Sequence, residues 1–254
     1  MISSGGVVPD VPPTPGLVGT LMSPSDDKPG TGEPHYQSRI EQVREHGIER
    51  LGLVTSWAWH DDPRHLLFTF ARYKFVAKML EGLNRVLEVG CADGFPTRLV
   101  AQTVKSVVAV DFDPALIADA IDRSSERWRI EFRVHDILQA PVQGQFDAAY
   151  ALDVLEHISE DREDTFVNNI CGCLTDTGVL VIGTPSLESQ IFASQQSKEG
   201  HVNCKSAQDL QRCLSRHFAN VFVFSMNDEV IHTGFSKMAH YLMALCCCPR
   251  PRRP

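Results

Sequence analysis

The sequence predicts a doubly wound α/β fold: a mostly parallel sheet of seven strands, helices on both faces, and a helical lid before it. Three observations carry this. After Gly82, short β-branched runs alternate with helix-like stretches, the pattern of βαβ units. The runs are apolar throughout, as strands covered on both faces are. The composition, with 254 residues, 43% hydrophobic and 22% charged, suffices for a substantial core.

The elements follow in order. Residues 1–35, rich in Pro, Gly, Ser and Thr, read as a disordered extension. Residues 36–82 read as the helical lid. Tyr36 to Leu51 is charged and helical, and Thr55 to Gly82 holds Trp57, Trp59, His60, Arg64 and His65. Phe68, Ala71, Phe75 and Met79 then recur at helical spacing. The aromatic residues are expected to pack this segment onto the sheet. Residues 83–248 form the main domain, with strands at 85–90, 106–112, 130–136, 146–153, 178–185, 220–228 and 240–247. Helices are expected at 96–105, from Pro114, which suits a first turn, at 160–174, and from a Ser206 cap to Phe218. Residues 249–254 read as a flexible tail. The apolar run HYLMALCCC and the N-terminal helices could each serve a homodimer or be core.

Charge and cysteine usage narrow the function classes. The net charge of −8, with Arg250, Arg252 and Arg253 as the one basic run, argues against a nucleic-acid partner. No window is long and apolar enough for a membrane span, and the N-terminus lacks the pattern of a signal peptide, so no membrane partner and a cytoplasmic location are expected. The eight cysteines contain no CxxC pair and no secreted-type framework, so reduced, mostly buried thiols are expected.

The sharpest feature is Val86 to Phe95, VLEVGCADGF, an apolar strand running into a glycine-rich turn before a helix. Gly90 and Gly94 allow a tight turn and close ligand approach, with Cys91, Ala92 and Asp93 between them. The spacing is GxAxG rather than GxGxxG, which disfavours a nicotinamide-dependent oxidoreductase. The next strand ends in Asp111, where a carboxylate can accept from the hydroxyls of a ribose. Glu88, inside the apolar strand, must be paired or face a ligand, and the neighbouring turn favours the ligand.

These segments, VLEVGCADG, VVAVDFDP, HDI, FDAAYALDVLEHI and GVLVIGTP, resemble in order the motifs of class I S-adenosylmethionine-dependent methyltransferases. The resemblance runs from Asn84 to Pro185, and Ala92 stands where that family usually has glycine. It implies a Rossmann-like sheet and S-adenosylmethionine as cofactor. The turn from Gly90 through Gly94, with Glu88, would serve the methionine moiety, and Arg72 and Tyr73 could reach its carboxylate. Asp111 would hold the ribose, Phe112 and Ile137 would cover the adenine, and Asp136 would accept from its amino group. Leu152 and Asp153 would face the sulfonium.

Methyl transfer needs alignment and, for a hydroxyl or protonated amine acceptor, a base. Asp153, Glu156 and His157 form D-x-x-E-H, and a helical turn there would place Asp153 and His157 on one face. His157 is the first choice for base and would also border the cofactor. The segment is similar to the ExxEH of ubiquinone-biosynthesis O-methyltransferases, which implies a possible divalent-metal site of Asp153, Glu156, His157 and His201, ranked behind a metal-free base. His201 and His232 are further candidates at the reaction site. His232 lies in the polar segment SMNDEVIHTGF, which could bind a polar acceptor or be a solvated turn. The reading is an enzyme that methylates oxygen or nitrogen of a small molecule such as a sugar or secondary metabolite. An RNA or protein methyltransferase and a non-catalytic cofactor-binding protein are the alternatives.

Overall fold

The computed structural model describes residues 33–251. The extension expected at residues 1–35 therefore lies almost wholly outside the described residues, as does the tail beyond Pro251. The chain divides after Glu49 into two compact units. In the first, the described element is helix α1, Pro34–His46, which opens on a proline.

The second unit begins at Arg50. The lid segment forms two helices, α2 (Leu53–Asp61) and α3 (Arg64–Met79), broken at Asp62-Pro63. Proline forbids continuation of the preceding helix, and Asp62 bonds forward to Arg64. Trp57 and Trp59 do not pack the segment onto the sheet; they are 63% and 55% exposed. Leu66, Tyr73, Val76 and Ala77 of α3 make the buried face instead.

The sheet has eight strands: β1 (Arg85–Val89), β2 (Ser106–Asp111), β3 (Ile130–Val134), β4 (Phe146–Leu152), β5 (Leu174–Pro185), β6 (Phe218–Asn227), β7 (Val230–His232) and β8 (Tyr241–Pro249). Their order is β3-β2-β1-β4-β5-β8-β6-β7. The first five are parallel, and β8 runs antiparallel between β5 and β6. The count exceeds the expected seven because the polar segment after Met226 folds back as a hairpin, turning at Asp228 (φ 48°) and pairing β7 with β6. The HYLMALCCC run is β8 itself, flanked by strands on both edges, and its Leu242, Met243 and Ala244 are fully buried; it is core.

The helices between the strands are α4 (Thr97–Ala101), α5 (Pro114–Asp122), α6 (Glu163–Cys171), α7 (Gln195–Gly200) and α8 (Ala207–Ser215). Asp113 caps α5 through the amide of Ala115, and Ser206 caps α8 through that of Asp209. Strand alternation divides the core in two. Leu87, Val89, Val108, Ala149 and Ile182 face α6 and α8. Val86, Val107, Ala109, Ala148 and Tyr150 face α3, α4 and α5. No described helix is long and apolar enough to cross a membrane.

Chain direction reverses between β1 and β4: the chain steps outward through β2 and β3, then returns to the other side of β1. In such sheets a crevice opens at the carboxyl ends of the strands flanking the switch, and ligands bind there.

Candidate active site

A cleft of about 600 Å³ occupies this switch point. Its floor is Val89, Gly90 and Ala92 at the end of β1. Gly90 has φ 78°, and a Cβ there would lie 2.3 Å from Val154 Cγ2. The amides of Gly90 and Cys91 both donate to the Val110 carbonyl, fastening the turn to β2. Ala92 adopts φ 47°, a left-handed conformation that disfavours a side chain.

Asp111 and Phe112, from the tip of β2, line the next wall. Asp111 accepts from the Ala92 amide through Oδ2 (3.0 Å) and from the Asp113 amide through Oδ1 (2.9 Å). Each carboxylate oxygen keeps a further lone pair for two adjacent hydroxyls. Phe112 is 74% exposed, an apolar ring offered at the lip. Asp136 and the buried Ile137 follow β3 along the same wall. Asp136 also closes its own turn, accepting from the Leu138 amide at 2.8 Å.

The opposite wall is Asp153, Val154, His157 and Ile158, after β4. The segment is not an α-helical turn. Asp153 has φ 57°, and a short 3-10 turn spans Leu155–His157, so Asp153 and His157 do not share a helix face. Asp153 bonds instead to Arg72 of α3, whose Nη1 donates to both carboxylate oxygens at 2.9 and 2.8 Å. His157 Nδ1 lies 2.9 Å from the Gly200 carbonyl, which can only accept, so Nδ1 is the donor and in the neutral ring Nε2 is the basic nitrogen.

Glu156, beside it, is 1% exposed. Its Oε2 accepts from Thr184 at 3.2 Å, while Oε1 has no hydrogen-bond partner among the described residues. Burial, then the nearby Asp153 charge, push its carboxyl up to about 8. His201 Nδ1 lies 3.0 Å from Gln190 Oε1, leaving its Nε2 free of that bond, and burial followed by the charge of His157 holds its imidazole below the ordinary range. One donor atom from each of Glu156, His157 and His201 lies within 4.8 Å of the others. An orphaned carboxylate oxygen and two imidazoles, each oriented through its other nitrogen, make a set suited to a divalent cation. Asp153, held by Arg72, is outside it.

Other expected site residues lie elsewhere, for definite reasons. Glu88 is buried and accepts from Tyr73 Oη and Thr97 Oγ1, both at 2.6 Å, on the face of β1 turned away from the cleft floor. Burial, only partly offset by these bonds, raises its carboxyl to about 7. Tyr73, thus engaged, is not available to a cofactor carboxylate. Asp93 is 1% exposed and bonds to the amide and hydroxyl of Thr55, docking α2. Cys91 and Leu152 point into the core. Gly94, with φ 64°, makes room for the Phe132 ring, which a Cβ would meet at 2.3 Å. Arg72 is committed to Asp153 rather than left free. His232 sits on edge strand β7, four strands from β4 and so about 19 Å away at ~4.8 Å per strand. Its ring nitrogens engage Asn227 Oδ1 and the Gly234 amide.

Sequence reasoning missed His135, Leu138, Val154 and Ile158 on the walls. His135, Val154 and Ile158 lie inside the recognised motifs and Leu138 directly follows one, which was the available signal. It also missed Tyr241, whose ring lies 3.8 Å beneath the Arg72 guanidinium; nothing local marks it.

Residues 86–178 match the family model described as a methyltransferase domain. Over that stretch the chain is similar to methyltransferase domains. It is 30% identical over 132 residues to a ubiquinone biosynthesis O-methyltransferase of Xanthomonas axonopodis pv. citri, covering 50% of this chain and 54% of that protein. It is 25% identical over 167 residues to the one from Xanthomonas campestris pv. campestris, covering 63% and 69%. The chain thus spans little more than half of the first relative's length. In fold, it is similar to the N-methyltransferase NodS of Bradyrhizobium japonicum WM9 in complex with S-adenosyl-l-homocysteine. The TM-score is 0.55 at 24% identity, over 76% of this chain and 92% of that one.

Proposed function

We propose that the protein methylates an oxygen or nitrogen of a small-molecule acceptor, with His157 as general base. The observation that carries this is a single cleft lined by Asp111 on one wall and by His157 on the other, with His157 Nδ1 engaged by the Gly200 carbonyl. S-adenosylmethionine, when bound, supplies an activated methyl group and a neutral thioether leaving group. The residues do the rest. Asp111 accepts from the ribose hydroxyls, and Phe112, Ile137 and Asp136 receive the adenine. The Gly90–Ala92 backbone takes the methionine portion closely because Gly90 has no side chain. His157 takes the acceptor proton on Nε2 as the acceptor attacks, and its Nδ1–H bond to Gly200 keeps that tautomer.

The relatives named for ubiquinone biosynthesis O-methylation favour an oxygen acceptor, a phenol or a sugar or secondary-metabolite hydroxyl, over nitrogen. The Glu156–His157–His201 group supports a metal-assisted form of the same reaction. A divalent cation held there would acidify a hydroxyl bound beside it.

Calorimetric titration with S-adenosylmethionine and S-adenosylhomocysteine, with and without chelator, tests the reading. Micromolar binding insensitive to chelator is expected. Turnover of a catechol probe that then requires added cation would select the metal-assisted form. Failure of the folded protein to bind either compound would overturn the proposal. Asp111→Ala should abolish binding, whereas His157→Ala should spare binding and abolish turnover; a non-catalytic binding protein would show no turnover to lose.

A further inference from the structure

We infer that Arg72 is a positioning residue: it holds Asp153 in its left-handed conformation and thereby sets the 3-10 turn that presents His157 to the cleft. The inference rests on the methyl-transfer reading given above. Four contacts converge on one residue. Arg72 Nη1 donates to both oxygens of Asp153 at 2.9 and 2.8 Å. The guanidinium carbon sits 3.8 Å over the Tyr241 ring, so its plane is fixed by a buried aromatic. The Tyr241 hydroxyl accepts from the Asp153 amide at 3.3 Å, and the Gly183 carbonyl accepts from the same amide at 3.0 Å.

Gly183 must be glycine for this to assemble, since a Cβ there would lie 2.6 Å from both Leu152 Cδ2 and Tyr241 Oη. Sidedness is thus built from α3, β5 and β8 around the end of β4.

The arrangement has a conformational purpose rather than a stabilising one. The Asp153 carboxylate is 41% exposed, so water could solvate it, and an ion pair at such a position adds little stability. The left-handed backbone at φ 57° is a minor conformation even for Asp, and the bonds from Arg72 oppose its relaxation. From Asp153 the chain turns into Val154, whose methyl group fills the space left by Gly90, and then into Leu155–His157. The His157 amide closes this turn on the Val154 carbonyl at 3.0 Å. If residue 153 relaxed to right-handed or extended backbone, the three-residue turn would swing and the His157 Nδ1 bond to Gly200 would be lost. Arg72 Nε is buried with no partner among the described residues, so the guanidinium is oriented for Asp153 at the expense of its Nε–H donor.

The test is a coupled pair of substitutions in the full chain, read by two probes. The first is the long-range ¹H–¹⁵N spectrum of the His157 ring, assigned through His157→Gln. The second is the calorimetric Kd of S-adenosylhomocysteine. Arg72→Met should shift the His157 ring signals away from the Nδ1–H pattern and weaken S-adenosylhomocysteine about 5-fold or more. Arg72→Lys, which keeps charge but not the planar fork, should fall between and serves if Arg72→Met does not fold. The decisive comparison is in an Asp153→Gly background, where glycine adopts the left-handed backbone unaided. There, adding Arg72→Met should change neither probe further. A folded Arg72→Met protein with unaltered His157 signals would overturn the inference. So would an Arg72→Met effect of equal size in the glycine background, which would mean that Arg72 acts by packing alone. If wild-type protein failed to bind S-adenosylhomocysteine, the methyl-transfer reading would fall, and the His157 spectra would still decide the positioning.

Discussion

Glu163 is the place where one atom change should cost most, and where pH should reveal why. It opens α6 and is 5% exposed. Lys205 Nζ lies 2.7 Å from Oε2, Asn203 Nδ2 donates to the same oxygen at 3.2 Å, and Arg216 Nη2 donates to Oε1 at 2.7 Å. Burial opposes its ionisation, but the bonds from Lys205, Arg216 and Asn203 outweigh burial and bring the carboxyl down to about 2. Against an ordinary 4.5 this is worth about 3 kcal/mol at neutral pH. Glu163→Gln would forfeit that and leave Lys205, itself almost buried, without its counter-charge, a loss on the order of 3–5 kcal/mol. Because the folded value is depressed, the contribution is complete above 4.5 and is lost as pH falls through 2. At pH 3 about 1.5 kcal/mol should remain. Urea denaturation of both proteins at pH 7 and pH 3 measures this. The gap should be wide at pH 7 and about half as wide at pH 3. An equal gap at both values would show that Glu163 contributes through shape and not through charge, and would refute the reasoning. The same residue should matter to the site, because Asn203 also donates its amide to the Glu156 carbonyl, close to His201 in the chain.

Glu88 should behave in the opposite sense. Its carboxyl is raised to about 7, so the folded state holds the extra proton between 4.5 and 7 and wild-type stability is lost as pH rises through that window. Glu88→Gln should therefore gain relative to wild type between pH 5 and pH 8 in thermal melts; a constant difference would contradict the assignment. Ala92→Gly should relieve the strain at φ 47°, raising stability by up to about 1 kcal/mol after the entropy of glycine is deducted, with S-adenosylhomocysteine affinity unchanged. A lower melting temperature would show that the methyl group packs usefully. Phe112→Ala should leave the melting temperature alone, since the ring is 74% exposed, yet weaken S-adenosylhomocysteine about 10-fold through lost stacking. Unchanged affinity by calorimetry would remove Phe112 from the adenine site.

Local pattern sufficed for what depends on local pattern. The βαβ alternation, the turn at Gly90, the acid ending β2 and the histidine after β4 were each readable because chain neighbours create them. The lid split at Pro63, and β7, could have been found from proline and turn chemistry within the segments concerned. Partners distant in the chain were a different matter. Arg72 and Asp153, Glu163 and Lys205, and Asp93 and Thr55 meet only after the sheet is assembled.

The acidic residues show how depth sorts what the sequence groups together. Glu88, Asp93, Asp111 and Asp153 all lie at or near strand ends bordering the switch point, and all read as ligand groups. Successive strand residues point to opposite faces. Val89 at the tip of β1 reaches the cleft, so Glu88 before it must point toward α3 and α4, where Tyr73 and Thr97 meet it. Asp93 lies past the turn and is drawn under α2. Only Asp111 and Asp153 line the cleft, and Asp153 does so with both oxygens bonded to Arg72. Of the four carboxylates, Asp111 is thus the one at the cleft that no side-chain cation neutralises, and it accepts from two backbone amides, that of Ala92 in the turn that would cradle the cofactor and that of Asp113 after β2. Loss of Asp111 should consequently disturb ribose recognition and the Ala92 turn together, which is why its substitution is expected to abolish cofactor binding and not merely to weaken it.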